Sequence, residues 1–200
     1  MADSPPDREG VYYRPLRPSD EPSLQQLHAR LFPLDYDQDF FSKAVAGADG
    51  IVAWAAAAPL PVLTYVGELA PQLVPPSAQQ EWREAEVLAG FITARAFPTL
   101  YADPHDRDLL GLAAREADQE WVLYVLTLGV AEAYQHCGIA RRLLEFALRY
   151  AAETACRAVY LHVAEFNTAA QAFYAAAGFR QLAVLPGFYT IRTGRQPQPV

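Results

Sequence analysis

The chain has 200 residues, 52% of them hydrophobic, and a formal net charge of −7 at pH 7. That length and apolar content suit a single globular unit with a sizeable core. The negative balance excludes a general affinity for nucleic acid or anionic membrane, since both need a basic face, although it is compatible with a cationic substrate.

Residues 1–10 are rich in Ser, Pro, Asp and Glu and read as a tail with little to bury. Val11 to Leu16 is predicted as a first short strand. Asp20, Glu21 and Pro22 mark a helix start, with Leu24, Leu27 and Leu31 as its apolar stripe and Pro33 as its stop. The Phe32-Pro33-Leu34-Asp35-Tyr36 turn leads into a second helix, Asp37 to Ala46, closed by Gly47.

Ile51 to Ala57 and Val87 to Phe97 are predicted to pair as a hairpin, separated by a proline-rich insertion at 58–86 with a short helix near Gln79 to Glu86. A long acidic connection at 99–120 carries Asp103, Asp106, Asp108, Glu116 and Asp118, with helical turns expected over Asp108 to Ala117. Trp121 to Leu128 is almost wholly apolar, as in a strand covered on both faces, and Gly129 interrupts it. Pro59 and Pro61 break the richest apolar run, and Gly129 and Glu132 end the next, so no membrane span is expected. No basic start followed by an apolar stretch marks a secretory leader. Two cysteines, Cys137 and Cys156, make no disulfide framework and point to a reducing compartment.

From Ala140 onward Leu143, Leu144, Ala147, Leu148 and Ala151 keep helical spacing, with Arg141, Arg142, Glu145 and Arg149 between them. Ala158 to Ala164 is β-rich. Asn167 is placed as an N-cap for a helix over Ala169 to Ala177, stopped at Gly178. Phe179 to Leu185 and Phe188 to Ile191 are expected as two last strands around a Pro186-Gly187 turn. The order suits one α/β domain over 11–191, a mixed central sheet with helices on both faces, followed by a tail at 192–200.

Between the apolar strand and its helix stand Gln135, His136, Cys137, Gly138, Ile139 and Ala140. Small residues at a helix start let an anion approach unpaired N–H groups, so this stretch is either an ordinary helix start or a place to hold a pyrophosphate. It lacks the lysine and hydroxyl residue of a Walker loop and the three glycines of a dinucleotide site. The order Gln-x-x-Gly-x-Ala resembles the acetyl-CoA signature of the GCN5-related N-acetyltransferases. Together, TLGVAEAYQHCGIARRLLEFAL and YLHVAEFNTAAQAFYAAAGFR resemble that family's two long blocks in order and spacing.

Four local strings, FPLDY at 32–36, LYVLTLGV at 123–130, YLHV at 160–163 and LPGFYTIR at 185–192, are similar to the NatF-type and then NatE-type protein N-terminal acetyltransferases. The resemblance implies an N-acetyltransferase fold, acetyl-CoA as co-substrate, no metal, and acetylation of the free α-amine of Met-starting polypeptides. Its nearest rivals are a lysine or small-amine acetyltransferase on the same fold and a non-catalytic acyl-CoA-binding subunit.

It implies Tyr124 and His162 as catalytic residues; taken alone, each would ordinarily be a satisfied core residue. Leu128, Gly129 and Val130 would supply backbone N–H groups to the thioester carbonyl. His136 to Arg141, following Gln135, would carry the pyrophosphate, with Asn167 and Tyr174 as further CoA contacts. Phe32, Pro33, Leu34, Tyr36, Leu126, Phe188 and Tyr189 would grip the substrate end. It further implies a cytoplasmic monomer, with NatF-type attachment to the cytosolic face of the Golgi membrane dependent on a C-terminal amphipathic segment that residues 192–200 do not supply.

Overall fold

Runs of alanine and β-branched residues form the centre of the sheet. Strands Ile51–Pro59 (β2) and Glu86–Pro98 (β3) pair antiparallel, from Ile51 opposite Arg95 to Pro59 opposite Glu86. Tyr12–Pro15 (β1) adds to the outer side of β2, and Trp121–Val130 (β4) lies antiparallel along β3. Ala158–Tyr160 (β5) pairs parallel with β4, giving a mixed sheet in the order β1-β2-β3-β4-β5. The structure is a computed structural model that describes residues 10–32, 36–59, 86–112, 120–188, 190–193 and 196–199. Pro33, Leu34 and Tyr189, the tail up to residue 9, most of the insertion with its expected helix, and residues 113–119 lie outside the described residues.

Helices cover both faces, as the element order predicts. Glu21–Leu31 (α1) and Gln38–Ala46 (α2) close one face, burying Leu24, Ala44 and Val45 against Ile51, Ala55 and Phe91. Ile139–Glu153 (α4) closes the other, where Ile139, Leu143, Leu144, Ala147 and Ala151 meet Ile92, Ala94, Leu123 and Val125. Thr168–Ala176 (α5) follows β5 and packs Phe173 and Tyr174 onto that same core. Each fully buried Leu or Ile contributes about 2 kcal/mol by leaving water, so these stripes hold the helices more firmly than propensity does.

At the rim of the sheet, Arg14 donates to Asp20 at 2.6 and 2.9 Å and to Glu86 at 2.6 and 3.1 Å. Burial pushes the Asp20 carboxyl up, but Arg14 and the backbone N–H of Arg17 outweigh it and hold the group below the usual carboxylate range. This ties β1, the turn before α1 and the start of β3 together.

The structure departs from the sequence reading in the connections. In the acidic connection a helix forms over Pro104–Leu109 (α3), earlier than expected, because Asp103 caps it by accepting from the His105 N–H at 2.8 Å and Pro104 fills its first turn; residues 113–117 of the turns expected over Asp108 to Ala117 lie outside the described residues. Gly111, at φ +66°, follows its end. The expected strand from Ala158 to Ala164 stops at Tyr160. Phe179 to Leu185 is not a strand: β5 is too short to offer it an edge, and Leu182 and Val184 stand exposed. The strand expected at Phe188 to Ile191 is shifted to Thr190–Thr193 (β6), and it pairs with Gln196–Pro199 (β7), a stretch the sequence reading left as a tail. The Pro186-Gly187 turn is present, with the Phe188 N–H donating to the Leu185 carbonyl and Gly187 at φ +72°.

Candidate active site

Strand β4 builds the site by doing two irregular things. Its pairing with β3 slips between Thr127 and Val125, leaving Leu126 as the extra residue of a bulge. Its parallel pairing with β5 covers Val122 to Tyr124 against Ala158 to Tyr160, and among the described residues goes no further. Beyond Tyr124 the two strands part and one edge of β4 faces a gap.

Alternation along the strand tells which amides face that gap. The Ala131 N–H donates to the Ala89 carbonyl at 2.8 Å, so Gly129 and Thr127 also turn their backbone groups toward β3. The amides of Leu128 and Val130 therefore point the other way, into the gap. Of the three amides implied by the sequence resemblance, Gly129 is the one that does not face it. Its lack of a side chain has a different use, since a Cβ there would lie 2.7 Å from Leu31 Cδ1 and 3.1 Å from the Phe91 ring, so glycine lets α1 settle onto the sheet.

Where the strands part, Tyr124 Oη lies 3.0 Å from His162 Nδ1. Phe188 stacks on the imidazole with ring centroids 4.0 Å apart, and Tyr160 lies 4.9 Å from Tyr124. The far ring nitrogen, His162 Nε2, is 3.2 Å from Asp106 Oδ1 on α3. The His162 and Asp106 side chains are only 14% and 12% exposed. Burial, then the charges of Asp106 and Asp103, drive the Tyr160 phenol well above its ordinary range, so it stays protonated beside the pair.

The turn before α4 forms the second part. His136 at φ +60° and Gly138 at φ +79° both take left-handed backbone, and Gly138 is the N-cap residue. Such alternation turns successive N–H groups to one side and shapes a concavity suited to an anion at the positive end of a 15-residue helix. The first turn of α4 contains no acidic residue and carries Arg141 and Arg142. Gln135 donates its side-chain amide to the Val130 carbonyl at 3.1 Å, and Cys137 Sγ donates to the Gln135 carbonyl at 3.3 Å, so both side chains brace the turn. Asn167 caps α5 by accepting from the Ala170 N–H at 3.1 Å, and Tyr174 packs between Phe173 and Phe179.

The third part is aromatic. Phe32, Tyr36, Phe40, Phe41 and Phe91 surround the imidazole of His28, with Phe32 stacked on it and Tyr36 edge-on, each at 4.7 Å. Burial raises the Tyr36 phenol, and its hydroxyl reaches the Leu126 carbonyl in the bulge at 3.5 Å. Phe32, Tyr36 and Leu126 thus gather at the bulge, two residues along β4 from Tyr124, and Phe188 stacks on His162. Pro33, Leu34 and Tyr189 of the expected set lie outside the described residues.

Two residues of this site were missed by reading the sequence. Asp106 appeared only as one of several acids in a connection, though Asp103-Pro104 is a helix-start pair that would have put it on a helix. His28 sits at i+4 from Leu24 and i−3 from Leu31, on the apolar stripe itself, and is 2% exposed. Its Nε2 has no hydrogen-bond partner among the described residues, and burial drives its pKa down to about 4.

A mixed sheet split at a bulged central strand, with a left-handed turn leading into the next helix and a tyrosine–histidine pair at the split, is the architecture of the acyl-CoA N-acyltransferase fold. The chain belongs to the acetyltransferase (GNAT) family, whose profile matches residues 68–179. It is similar to Arabidopsis thaliana NAA60, solved with acetyl-CoA and with a bisubstrate analogue, at 31% identity and TM-scores of 0.69 and 0.68, with 94% of this chain and 93–94% of that one covered. It is also 36% identical over 182 residues to the histone acetyltransferase MCC1 of A. thaliana, covering 90% of this chain and 64% of that protein. With N-alpha-acetyltransferase 60 of Danio rerio it shares 33% over 108 residues, 52% of this chain and 44% of the relative. The chain thus spans less than two thirds of the length of these curated relatives. Among the described residues no group of three His, Cys, Asp or Glu side chains could hold a metal, and no helix is long and apolar enough to cross a membrane.

Proposed function

We propose that the protein is an acetyl-CoA-dependent N-terminal acetyltransferase acting on the free α-amine of Met-starting polypeptides. The observation that carries this reading is the 3.0 Å contact between Tyr124 Oη and His162 Nδ1 at the point where β4 and β5 part. An α-amine has a pKa of about 8, so the enzyme need only remove one proton and aim the amine.

The acetyl-CoA pyrophosphate fits the cradle from His136 to Arg141, where left-handed backbone and the helix dipole both favour an anion. The Leu128 and Val130 amides face the gap in which the pantetheine arm and thioester would lie, and would stabilise charge developing on the carbonyl oxygen. Tyr124 and His162 take the amine's first proton. The neutral amine then attacks, a C–N bond forms, the C–S bond breaks, and the second nitrogen proton leaves with the thiolate as CoA thiol. Phe32, Tyr36, Leu126 and Phe188 offer the apolar walls an initiating methionine needs.

A lysine acetyltransferase is the second reading, favoured by the 36% identity to a histone acetyltransferase. Transfer from acetyl-CoA to peptides starting Met-Leu, Met-Lys and Ser-Glu, and to an N-terminally blocked lysine peptide, separates the two. The expected result is transfer to free Met-starting peptides that His162→Ala loses by about 100-fold or more. Transfer to the blocked lysine peptide alone would move the assignment to the second reading, and CoA binding without transfer would refute both.

A further inference from the structure

We propose that Asp106 is a positioning residue that makes Asp106, His162 and Tyr124 a directional hydrogen-bond chain, with the tyrosine oxygen as the end that receives the substrate proton. The inference rests on the acetyltransferase reading above and adds to it the order of the groups and a third member.

The direction follows from what each atom can do. Asp106 Oδ1 lies 3.2 Å from His162 Nε2, and a carboxylate can only accept, so the proton of the neutral imidazole belongs on Nε2. The opposite tautomer would set a nitrogen lone pair against a carboxylate oxygen in a site where both side chains are nearly buried. With its proton on Nε2, His162 presents a bare Nδ1 to Tyr124 Oη at 3.0 Å, and the hydroxyl must donate to it. The tyrosine oxygen, having donated, serves only as an acceptor on its other sides. Tyr124 therefore takes the ammonium proton while passing its own to Nδ1, and Asp106 holds the imidazolium that results.

The surroundings are built to keep this order. Asp106 rides on α3, whose start is fixed by the Asp103 cap and whose Arg107 donates to the Leu100 carbonyl at 3.4 Å. Phe188 stacks on one face of the imidazole and limits its rotation. Tyr160, the neighbouring phenol on β5, is held protonated and does not compete as a base. No part of this arrangement requires Asp106 to touch substrate.

The first test reads the wild-type protein directly and uses a variant only to assign the signal. Nitrogen NMR of protein carrying 15N-histidine, with His162 assigned by its loss in His162→Ala, should show the Nε2–H tautomer at neutral pH, and an Nδ1–H tautomer would overturn the proposal. The second uses the near-isosteric Asp106→Asn, whose amide can turn its NH2 toward Nε2 and favour the reverse tautomer. The expected result is that kcat falls by about 100-fold while KM for peptide and acetyl-CoA stays within about threefold, and that Tyr124→Phe loses a comparable factor. Full activity in Asp106→Asn alongside a strong loss in His162→Ala would refute the positioning role and leave the base assignment standing. Full activity in His162→Ala would refute the base assignment itself.

Discussion

His28 should make the stability of this protein fall with pH well above the range in which carboxylates titrate. Its imidazole is 2% exposed within five aromatic rings, its Nε2 has no partner among the described residues, and its pKa is depressed to about 4. In the unfolded chain the same group titrates near 6.5. A depressed histidine binds its proton more readily unfolded than folded, so its contribution is fully present above about pH 6.5 and is lost as pH falls toward about 4. At about 1.4 kcal/mol per pH unit, the loss is about 2 kcal/mol by pH 5 and about 3 kcal/mol over the whole window. Asp20 and Glu86, whose carboxyls lie below their ordinary range, lose their contributions only below about pH 4, so the windows are separable. The assay is urea unfolding of wild type and His28→Phe at pH 7.5, 6, 5 and 4.5. The variant should match or exceed wild type at pH 7.5, because an unpartnered polar atom is replaced by carbon, and should then gain about 2 kcal/mol relative to wild type by pH 5. Parallel curves for the two proteins across that range would refute the reasoning.

Two further predictions concern β4. Thr93 and Thr127 share a buried hydroxyl–hydroxyl bond at 2.6 Å, so Thr127→Val should cost about 1–3 kcal/mol by orphaning Thr93, whereas the double change to valine should cost less than either single one; a double-mutant cycle by denaturant melts reads this directly. Gly129→Ala should cost about 1–3 kcal/mol by overpacking against Leu31 and Phe91, measured in the same melts, and a stability within 0.3 kcal/mol of wild type, roughly the error of such comparisons, would show that α1 yields freely.

The parts of the fold set by local pattern were legible in the residues. The stripe from Ala140 to Ala151 marked α4, the apolar run at 121–128 marked the buried central strand, and Pro186-Gly187 marked its turn. What escaped depends on how distant elements meet. The divergence of β4 and β5 past Tyr124 belongs to the pair, and nothing in Leu161 to Ala164 taken alone says that a β-rich run stops pairing after three residues. Asp106 reaches His162 across 56 positions of sequence, from a connection with no periodicity to read. The expected strand at 179–185 had suitable residues but no edge to join. Tyr124 and His162 were singled out by resemblance, and their mutual contact and their tie to Asp106 come from the folded chain.

The bulge at Leu126 acts on β4 as a one-letter insertion acts on a reading frame. Upstream of it, odd-numbered Leu123 and Val125 face α4; downstream, even-numbered Leu128 and Val130 do. Leu126 itself, and then Thr127 and Gly129, fall on the α1 and α2 side. Parity of position therefore carries opposite meaning in the two halves of one strand. A comparison of related chains that assumed a single alternation through residues 121–130 would mistake the constraints of one layer for those of the other, and the site lies where the frame changes.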